Sequence, residues 1–300
     1  MGDRRHRTTD PYYFAWGKNR FYECYSAQPD LSLKCMFNGP GVYTTGDGGR
    51  FVVDDNAYLI LNAQQPYSLI KNGVMPVESF CVFYSSAWAQ DILSSLTAPD
   101  LPLLDEPTPA DNRSIDFFER LYPYSHLVAP YLQALRTYVV NISASGLWVE
   151  EQLHGLLAGM IQTQWNVFKE AEQLPVARQS TRLELYRRLY RARDYIHATL
   201  AEPLSLADMA GAAHLSPHHF LRSFKQTFGL TPHAYLTKKR LEKAQFLLAQ
   251  TVRPITEICF EVGFQSLGSF STLFRREIGV SPRSYRQQAR GSLCHEARNE

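Results

Sequence analysis

GFQSLGSFSTLFRREIGVSPRSYR, residues 263–286, reads as a turn, a helix and the opening of a second helix. Gly263-Phe264 makes the turn, and Ser266 stands where a helix N-cap belongs, its hydroxyl placed to accept from the next turn's N–H groups. Phe270, Phe274 and Ile278 follow at every fourth residue, which is one inward face of a helix. Gly279 ends that helix, and Ser281-Pro282 begins the next. Just upstream, Ile255, Ile258, Cys259 and Val262 have the i, i+3, i+4, i+7 spacing of a short helix leading into the turn.

The same order occurs about 50 residues earlier, in LADMAGAAHLSPHHFLRSFKQTFGLTPHAY (206–235). Leu206, Met209, Ala210 and Ala213 form the short helix, His214-Leu215 the turn and Ser216 the cap, with Pro217 at the first helical position. Phe220, Phe224 and Phe228 face inward, Gly229 stops the helix, and Thr231-Pro232 starts another. One amphipathic hairpin is ordinary core packing. Two with matching caps, glycines and prolines are tandem helix-turn-helix motifs, the arrangement that offers a second helix to a DNA major groove.

Charge points the same way. The formal net charge of +2 conceals 17 Lys and Arg against 8 Asp and Glu over residues 181–290, a net of +9, while residues 1–180 carry −6. A basic half joined to an acidic half implies that one half meets a polyanion. Five scattered cysteines (Cys24, Cys35, Cys81, Cys259, Cys294), with no Cys-x-x-Cys pair, argue against a disulfide framework and against a zinc site. The N-terminus has basic residues without the apolar stretch of a secretory signal, and no apolar run reaches membrane-spanning length, so a cytoplasmic location and no membrane partner are expected.

Residues 18–110 read as β-rich: LSLKCMF, GRFVVDD, AYLILNA and ESFCVFY are separated by turn-forming PG, GDGG, QQP and KNG, the pattern of a small sandwich or barrel. The Pro-rich APDLPLLDEPTPAD (98–111) is expected to wrap over that sheet. Helical periodicity begins at SIDFFERLY (114–122) and continues in helices expected over 126–142 and 147–172. The fold class is thus α+β, a small β-sandwich or β-barrel with flanking helices followed by an all-α domain. The expected boundaries are 1–175 for the first domain, 176–182 for a linker, 183–290 for the helix-turn-helix domain and 291–300 for a disordered tail.

Over 183–287 the residues resemble the DNA-binding domain of the AraC/XylS family of bacterial regulators. Arg240-Leu241, Ala244 and Leu247-Leu248 match the family's pattern on the helix between the motifs. Residues 263–286 match its Gly-Phe, Phe-x-x-x-Phe-[Lys/Arg], Gly-x-[Ser/Thr]-Pro and Tyr-Arg elements in order. The resemblance implies a sequence-specific transcription regulator, an activator responsive to a small-molecule effector, with a cupin-like sensor domain, a homodimeric state and RNA polymerase as a further partner.

Base reading needs side chains that meet base edges from the exposed face of each second helix. His218, Leu221 and Arg222 hold those positions in the first motif, and Arg222 is the strongest because a guanidinium pairs bidentately with guanine. The aligned positions of the second motif are Leu267, Gly268, Ser271 and Thr272, where the family usually has an arginine in place of Thr272. The first motif is therefore expected to read sequence and the second to clamp. Phosphate contacts are expected from Lys225, Lys238, Arg275, Arg276 and the backbone N–H groups at Ser216 and Ser266. Arg240 is either a phosphate contact or a tie to a neighbouring acid. His214, His218 and His219 lack the acidic or thiol companion that a metal site requires.

For the first domain, Leu127, Tyr131, Leu135 and Tyr138 form a near-heptad seam that is either a dimer surface or packing within the domain. Aromatic residues crowd the early chain, and Tyr13, Trp16 and Tyr22 are candidate effector contacts, the alternative being core residues. A metal-dependent cupin enzyme needs a His-x-His pair, and residues 11–110 contain no histidine; no cofactor, no metal and no enzymatic activity are expected. The rival reading is a ligand-binding barrel or metal-free enzyme whose helical tail serves protein interaction.

Overall fold

The computed structural model describes residues 11–27, 30–46, 48–97, 116–141, 146–174 and 179–296. The contacts divide the chain into two units, Met1–Asp194 and Tyr195–Glu300.

In the first unit the strands are β1 (Tyr12–Ala27), β2 (Leu31–Phe37), β3 (Gly41–Thr45), β4 (Arg50–Val53), β5 (Ala57–Leu61), β6 (Tyr67–Tyr84) and β7 (Leu121–Pro123), with helix α1 (Ser86–Thr97) between the last two. They make one antiparallel sheet in the order β4-β3-β6-β2-β5-β7, with β1 pairing β6. The long β6 holds the sheet together: its first part pairs β3, its last part pairs β2, and β1 runs along it. The sheet rolls into a nearly closed barrel. Met36, Tyr43, Phe51, Val53, Leu59, Leu61, Leu69 and Val77 form its core.

Helices α2 (Ala129–Asn141) and α3 (Gly146–Glu172) belong to this unit, and helix α4 (Gln179–Ala198) contains the boundary between the units. Gly155 and Gly159 let α3 approach its neighbours. A Cβ at Gly155 would fall 2.3 Å from the Tyr131 ring, and one at Gly159 would fall 2.1 Å from the Leu127 carbonyl oxygen. The α4 residues of the unit are held to β7 through its backbone: the Leu121 N–H donates to Asp194 Oδ2 at 2.9 Å, and Arg193 Nη2 donates to the Leu121 oxygen at 3.1 Å. Buried Arg120 adds a bond to the Tyr186 hydroxyl.

Three expectations change here. The helix expected over 114–122 is absent from its described part, 116–122, which runs through irregular backbone into β7. Asn62 brackets Phe117, accepting from its N–H at 2.8 Å and donating to its oxygen at 2.9 Å. Gln164 accepts from the Phe118 N–H. Side chains distant in sequence thus take the backbone groups that a helix would have paired. Within the segment read as β-rich, residues 86–97 form α1, which buries Ala89 and Ile92. The segment 98–111 lies outside the described residues. Of the linker placed at 176–182, the described part from Gln179 onward is already helical, and the compact units divide later, after Asp194.

The second unit contains α5 (Leu206–Ala212), α6 (Pro217–Phe228), α7 (Pro232–Gln250), α8 (Ile255–Glu261), α9 (Leu267–Ile278) and α10 (Pro282–Glu296). The tail expected over 291–300 is helical to Glu296, as the end of α10. On one side of α7 the rings of Phe220, Phe224, Phe228 and Tyr235 pack with successive centroids 5.2, 4.5 and 6.2 Å apart. On the other, Leu241, Ala244 and Leu248 of α7 join Ile258, Cys259, Val262, Phe270 and Phe274 in a second core. Each motif therefore has its own core, and α7 is common to both. No helix among the described residues is long and apolar enough to cross a membrane.

Candidate nucleic-acid interface

Helices α6 and α9 are built alike from the ends inward. Ser216 Oγ accepts from the His219 N–H at 3.4 Å and Ser266 Oγ from the Ser269 N–H at 3.2 Å. At the other ends Gly229 (φ 73°) and Gly279 (φ 89°) adopt the left-handed conformation that closes a helix without Cβ strain. Phe220 and Phe224, and Phe270 and Phe274, are fully buried. The inward phenylalanines fix which face points outward.

On α6 that face carries His218, Leu221, Arg222 and Lys225, all exposed. On α9 it carries Leu267, Gly268 and Thr272, exposed, with Ser271 half-buried. Leu221 and Leu267 are large apolar side chains left in solvent, suited to packing on thymine methyl groups. Nothing lies within 4 Å of a Cβ built at Gly268, so the start of α9 is open to close approach by another surface. Among the described residues Arg222, Lys225, Lys238 and Arg275 form no ion pair, which leaves their charges available. Arg276 differs, because Glu277 accepts from its Nη2 at 2.7 Å. Arg283, not singled out from the sequence, stands exposed in the first turn of α10. Its signal was the Ser-Pro helix start immediately before it.

The ambiguity at Arg240 is resolved by backbone rather than by an acid. Its Nε donates to the Leu200 oxygen at 2.8 Å and its Nη2 to the Glu202 oxygen at 2.7 Å. Gly263 (φ 96°) lies against the same group, and a Cβ there would stand 2.6 Å from the Leu200 oxygen and 2.9 Å from the guanidinium. The turn of the second motif, the middle of α7 and the segment that follows α4 thus meet at one place.

The candidate residues of the first unit are dispersed. Leu127 precedes α2, Leu135 is fully buried, and Tyr138 packs its ring 6.0 Å from that of Trp148 on α3. With Tyr131 against Gly155, this seam packs within its own unit. Strand alternation separates the aromatic candidates. Tyr13 stacks on Phe83 with centroids 4.2 Å apart, and Tyr22 lies 5.3 Å from Lys71 Nζ. Trp16 is on the opposite face, where Nε1 donates to Glu78 Oε1 at 3.2 Å.

A family model described as a helix-turn-helix domain matches residues 209–288. The chain is 41% identical over 106 residues to the HTH-type transcriptional activator RhaS of Enterobacter sp. (strain 638), covering 35% of this chain and 38% of that one. It is 38% identical over 92 residues to a probable transcriptional regulator, LumQ, of Photobacterium leiognathi, covering 31% and 37%. Among solved structures, a transcriptional regulator of Chromobacterium violaceum, described as AraC-type, is 32% identical over 37% of this chain and 96% of its own, with a TM-score of 0.33.

The chain carries an AraC-type helix-turn-helix domain.

The AraC-type match falls within the unit whose two capped helices were described above. The chain spans little more than a third of the length of the two curated relatives. Within the AraC-type domain the two motifs are unequal in detail. Helix α5 opens on a capping box between Ser205 and Asp208, whereas α8 opens at Pro254 with no side-chain cap. Hydrogen bonds from Ser205 hold the Asp208 carboxyl below its usual range.

Proposed function

We propose that this chain is a sequence-specific DNA-binding transcription regulator, acting in the cytoplasm as a ligand-responsive activator. The observation that carries this reading is the pair α6 and α9, each capped by a serine, closed by a left-handed glycine and turned polar side outward within a segment of net charge +9. In this reading α6 enters a major groove and Arg222 pairs with guanine, while His218 and Leu221 meet neighbouring base edges. Helix α9 offers Leu267, Gly268, Ser271 and Thr272, which make methyl and close backbone contacts but few strong hydrogen bonds. Lys225, Lys238, Arg275 and the N–H groups at Ser216 and Ser266 contact phosphates; Arg276 contributes less because Glu277 holds it. With 19 residues, α7 is about 28 Å long, which suits two reading helices spaced along one side of the duplex.

The first unit serves as the sensor in this reading, and the active species is a homodimer that acts with RNA polymerase. Its dimer surface must include residues other than Leu135, which its own unit buries. No catalytic step is assigned to the chain. Footprinting upstream of neighbouring genes, with and without candidate effectors, tests the reading: a discrete protected site is expected. Its affinity should fall steeply from about 50 to about 200 mM salt, because counterions released from the duplex into more concentrated salt gain less entropy. Protection without sequence preference, or affinity indifferent to salt, would overturn it.

A further inference from the structure

Strand β6 changes company along its length. Its last part lies against the helices: the Tyr84 hydroxyl donates to the Leu153 oxygen of α3 at 3.4 Å, the Tyr84 ring stacks on Trp88 of α1, and Glu78 accepts from Arg136 Nε of α2 at 2.6 Å. Its first part forms a four-stranded face with β1, β3 and β4. The outward side chains there are exposed or half-buried.

Strand pairing arranges this face in rows. Glu23 of β1 lies across from Ile70 of β6, Ile70 across from Val42 of β3, and Val42 across from Val52 of β4. The next row holds Ser68, Thr44 and Arg50, and on the other side Phe21 lies across from Asn72. Residues directly opposite on neighbouring strands share a face, so all these side chains point the same way. Tyr25 joins them, its hydroxyl donating to Glu23 Oε2 at 2.9 Å. The residues that alternate with them, Leu69, Tyr43, Phe51 and Val53, point inward and belong to the barrel core.

This outer face is apolar in the middle and charged at opposite corners. Phe21 and Tyr25 are each 62% exposed and Ile70 38%, while Val42 and Val52 are half-buried. Contiguous apolar surface left in solvent marks a contact site. Glu23 and Arg50 are both exposed, and among the described residues neither forms an ion pair. Three strand spacings and one step along the strand separate them, about 16 Å.

That diagonal makes the face complementary to itself. When two copies meet face to face about a two-fold axis, each Glu23 comes over the partner subunit's Arg50, and Ile70 and Val42 close the centre. A second copy carries the matching diagonal by construction, and the alignment that sets Glu23 on Glu23 is repelled. The helical seam offers no comparable surface: Leu135 is fully buried, Tyr131 lies against Gly155 and Tyr138 packs on Trp148.

We propose that two copies of this chain associate through the outer face of β1, β6, β3 and β4, with reciprocal Glu23–Arg50 pairs on either side of an apolar centre. This names the contact surface of the homodimer proposed above and rests on that reading for its role at DNA.

The test is sedimentation velocity of the full chain over a wide range of concentration, without DNA. The parent should pass from one copy to two as concentration rises. Glu23→Arg and Arg50→Glu should each weaken the association by more than about tenfold, because the two-fold axis repeats every like-charged contact. The double variant E23R/R50E should restore it. Ile70→Lys sets a charge in the apolar centre and should leave a monomer, with circular dichroism unchanged. A parent that stays monomeric at every concentration, as when another stretch of the chain covers the face, would overturn the proposal. So would a dimer indifferent to both single reversals, or a double variant as weak as either one. DNA footprints of the same samples separate the two readings. A monomer that protects a discrete site defeats this contact alone, and a dimer that protects none defeats the function alone.

Discussion

Arg240 of α7 donates through Nε to the carbonyl oxygen of Leu200, 2.8 Å away and 40 residues earlier in the chain. With the second bond to Glu202, this fork ties the helix that connects the two motifs to the segment entering the first of them. The guanidinium is half-buried, and that desolvation holds its pKa below the usual arginine value. Both acceptors are neutral carbonyls, so the arrangement contributes through hydrogen bonds rather than by cancelling charge.

Removing the fork leaves two carbonyls to find other donors. Arg240→Ala should lower the unfolding free energy by about 2–3 kcal/mol, and Arg240→Lys should recover little of it because an ammonium does not reproduce the planar fork. Urea denaturation followed by circular dichroism measures both. An alanine variant as stable as the parent would show that the fork is dispensable.

Gly263 meets Arg240 from the other side. At φ 96° and 2.6 Å from the Leu200 oxygen, alanine there is strained twice, by backbone conformation and by contact. Gly263→Ala should cost more than about 2 kcal/mol, whereas Gly268→Ala, with open space around its Cβ, should cost less than about 1 kcal/mol. If the two variants denature at the same urea concentration, the close approach is not what keeps glycine at 263.

The two reading helices should respond differently to substitution. Arg222→Ala should lose about 1–3 kcal/mol of binding at one base position of the operator. Thr272→Ala should change affinity by less than about 1 kcal/mol, and Thr272→Arg should sharpen sequence preference in the half-site facing α9. Binding to a library of operator variants reads all three. A uniform loss over every sequence for Arg222→Ala would make it a phosphate contact instead.

The serine caps should matter to about equal degrees. Ser216→Ala and Ser266→Ala each remove the acceptor for one N–H at a helix start, and each should cost about 1 kcal/mol of stability. Replacement by aspartate keeps the acceptor and should restore stability. The same aspartate variants should bind DNA more weakly, because a carboxylate would then stand where a phosphate approaches.

Lys34 gives a pH dependence with a definite sign. Its ammonium is lowered to about 8 from an ordinary 10.5, so the folded chain releases this proton before the unfolded chain does. Below about pH 8 both states hold it, and the cost of the buried charge is fully present. Between about 8 and 10.5 the unfolded chain holds more protons, and this residue's contribution to stability rises with pH. K34M should be more stable than the parent at pH 7 by up to about 3 kcal/mol, the size of the shift, and that gap should narrow by pH 9.5. The Tyr67 hydroxyl lies 3.4 Å from the ammonium, and the Cys81, Cys24 and Cys35 thiols act on it against the effect of burial. A gap that does not change with pH would assign the cost to packing.

The two helix-turn-helix motifs were legible from residue order because their information is local. A serine cap, a phenylalanine every fourth residue and a glycine stop each act within a few residues, and the same pattern occurs twice, so Ser216, Ser266, Gly229 and Gly279 are where the sequence put them. The exposed reading face follows from the buried one. Contacts between distant residues decided the rest. Residues 116–122 carry helical periodicity, yet Asn62 and Gln164 take their backbone groups and direct them into strand β7. Arg240 could have met a phosphate or an acid by its type alone, and only the fold brings the carbonyls of Leu200 and Glu202 to it. Tyr13, Trp16 and Tyr22 look equivalent in sequence until pairing with β6 divides them between faces. The lysine at position 34 had no signal at all, since a lone Lys within a strand is usually a solvated side chain. Strand register, which pairing with β5 and β6 sets and no neighbouring residue encodes, turns it inward among aromatic rings.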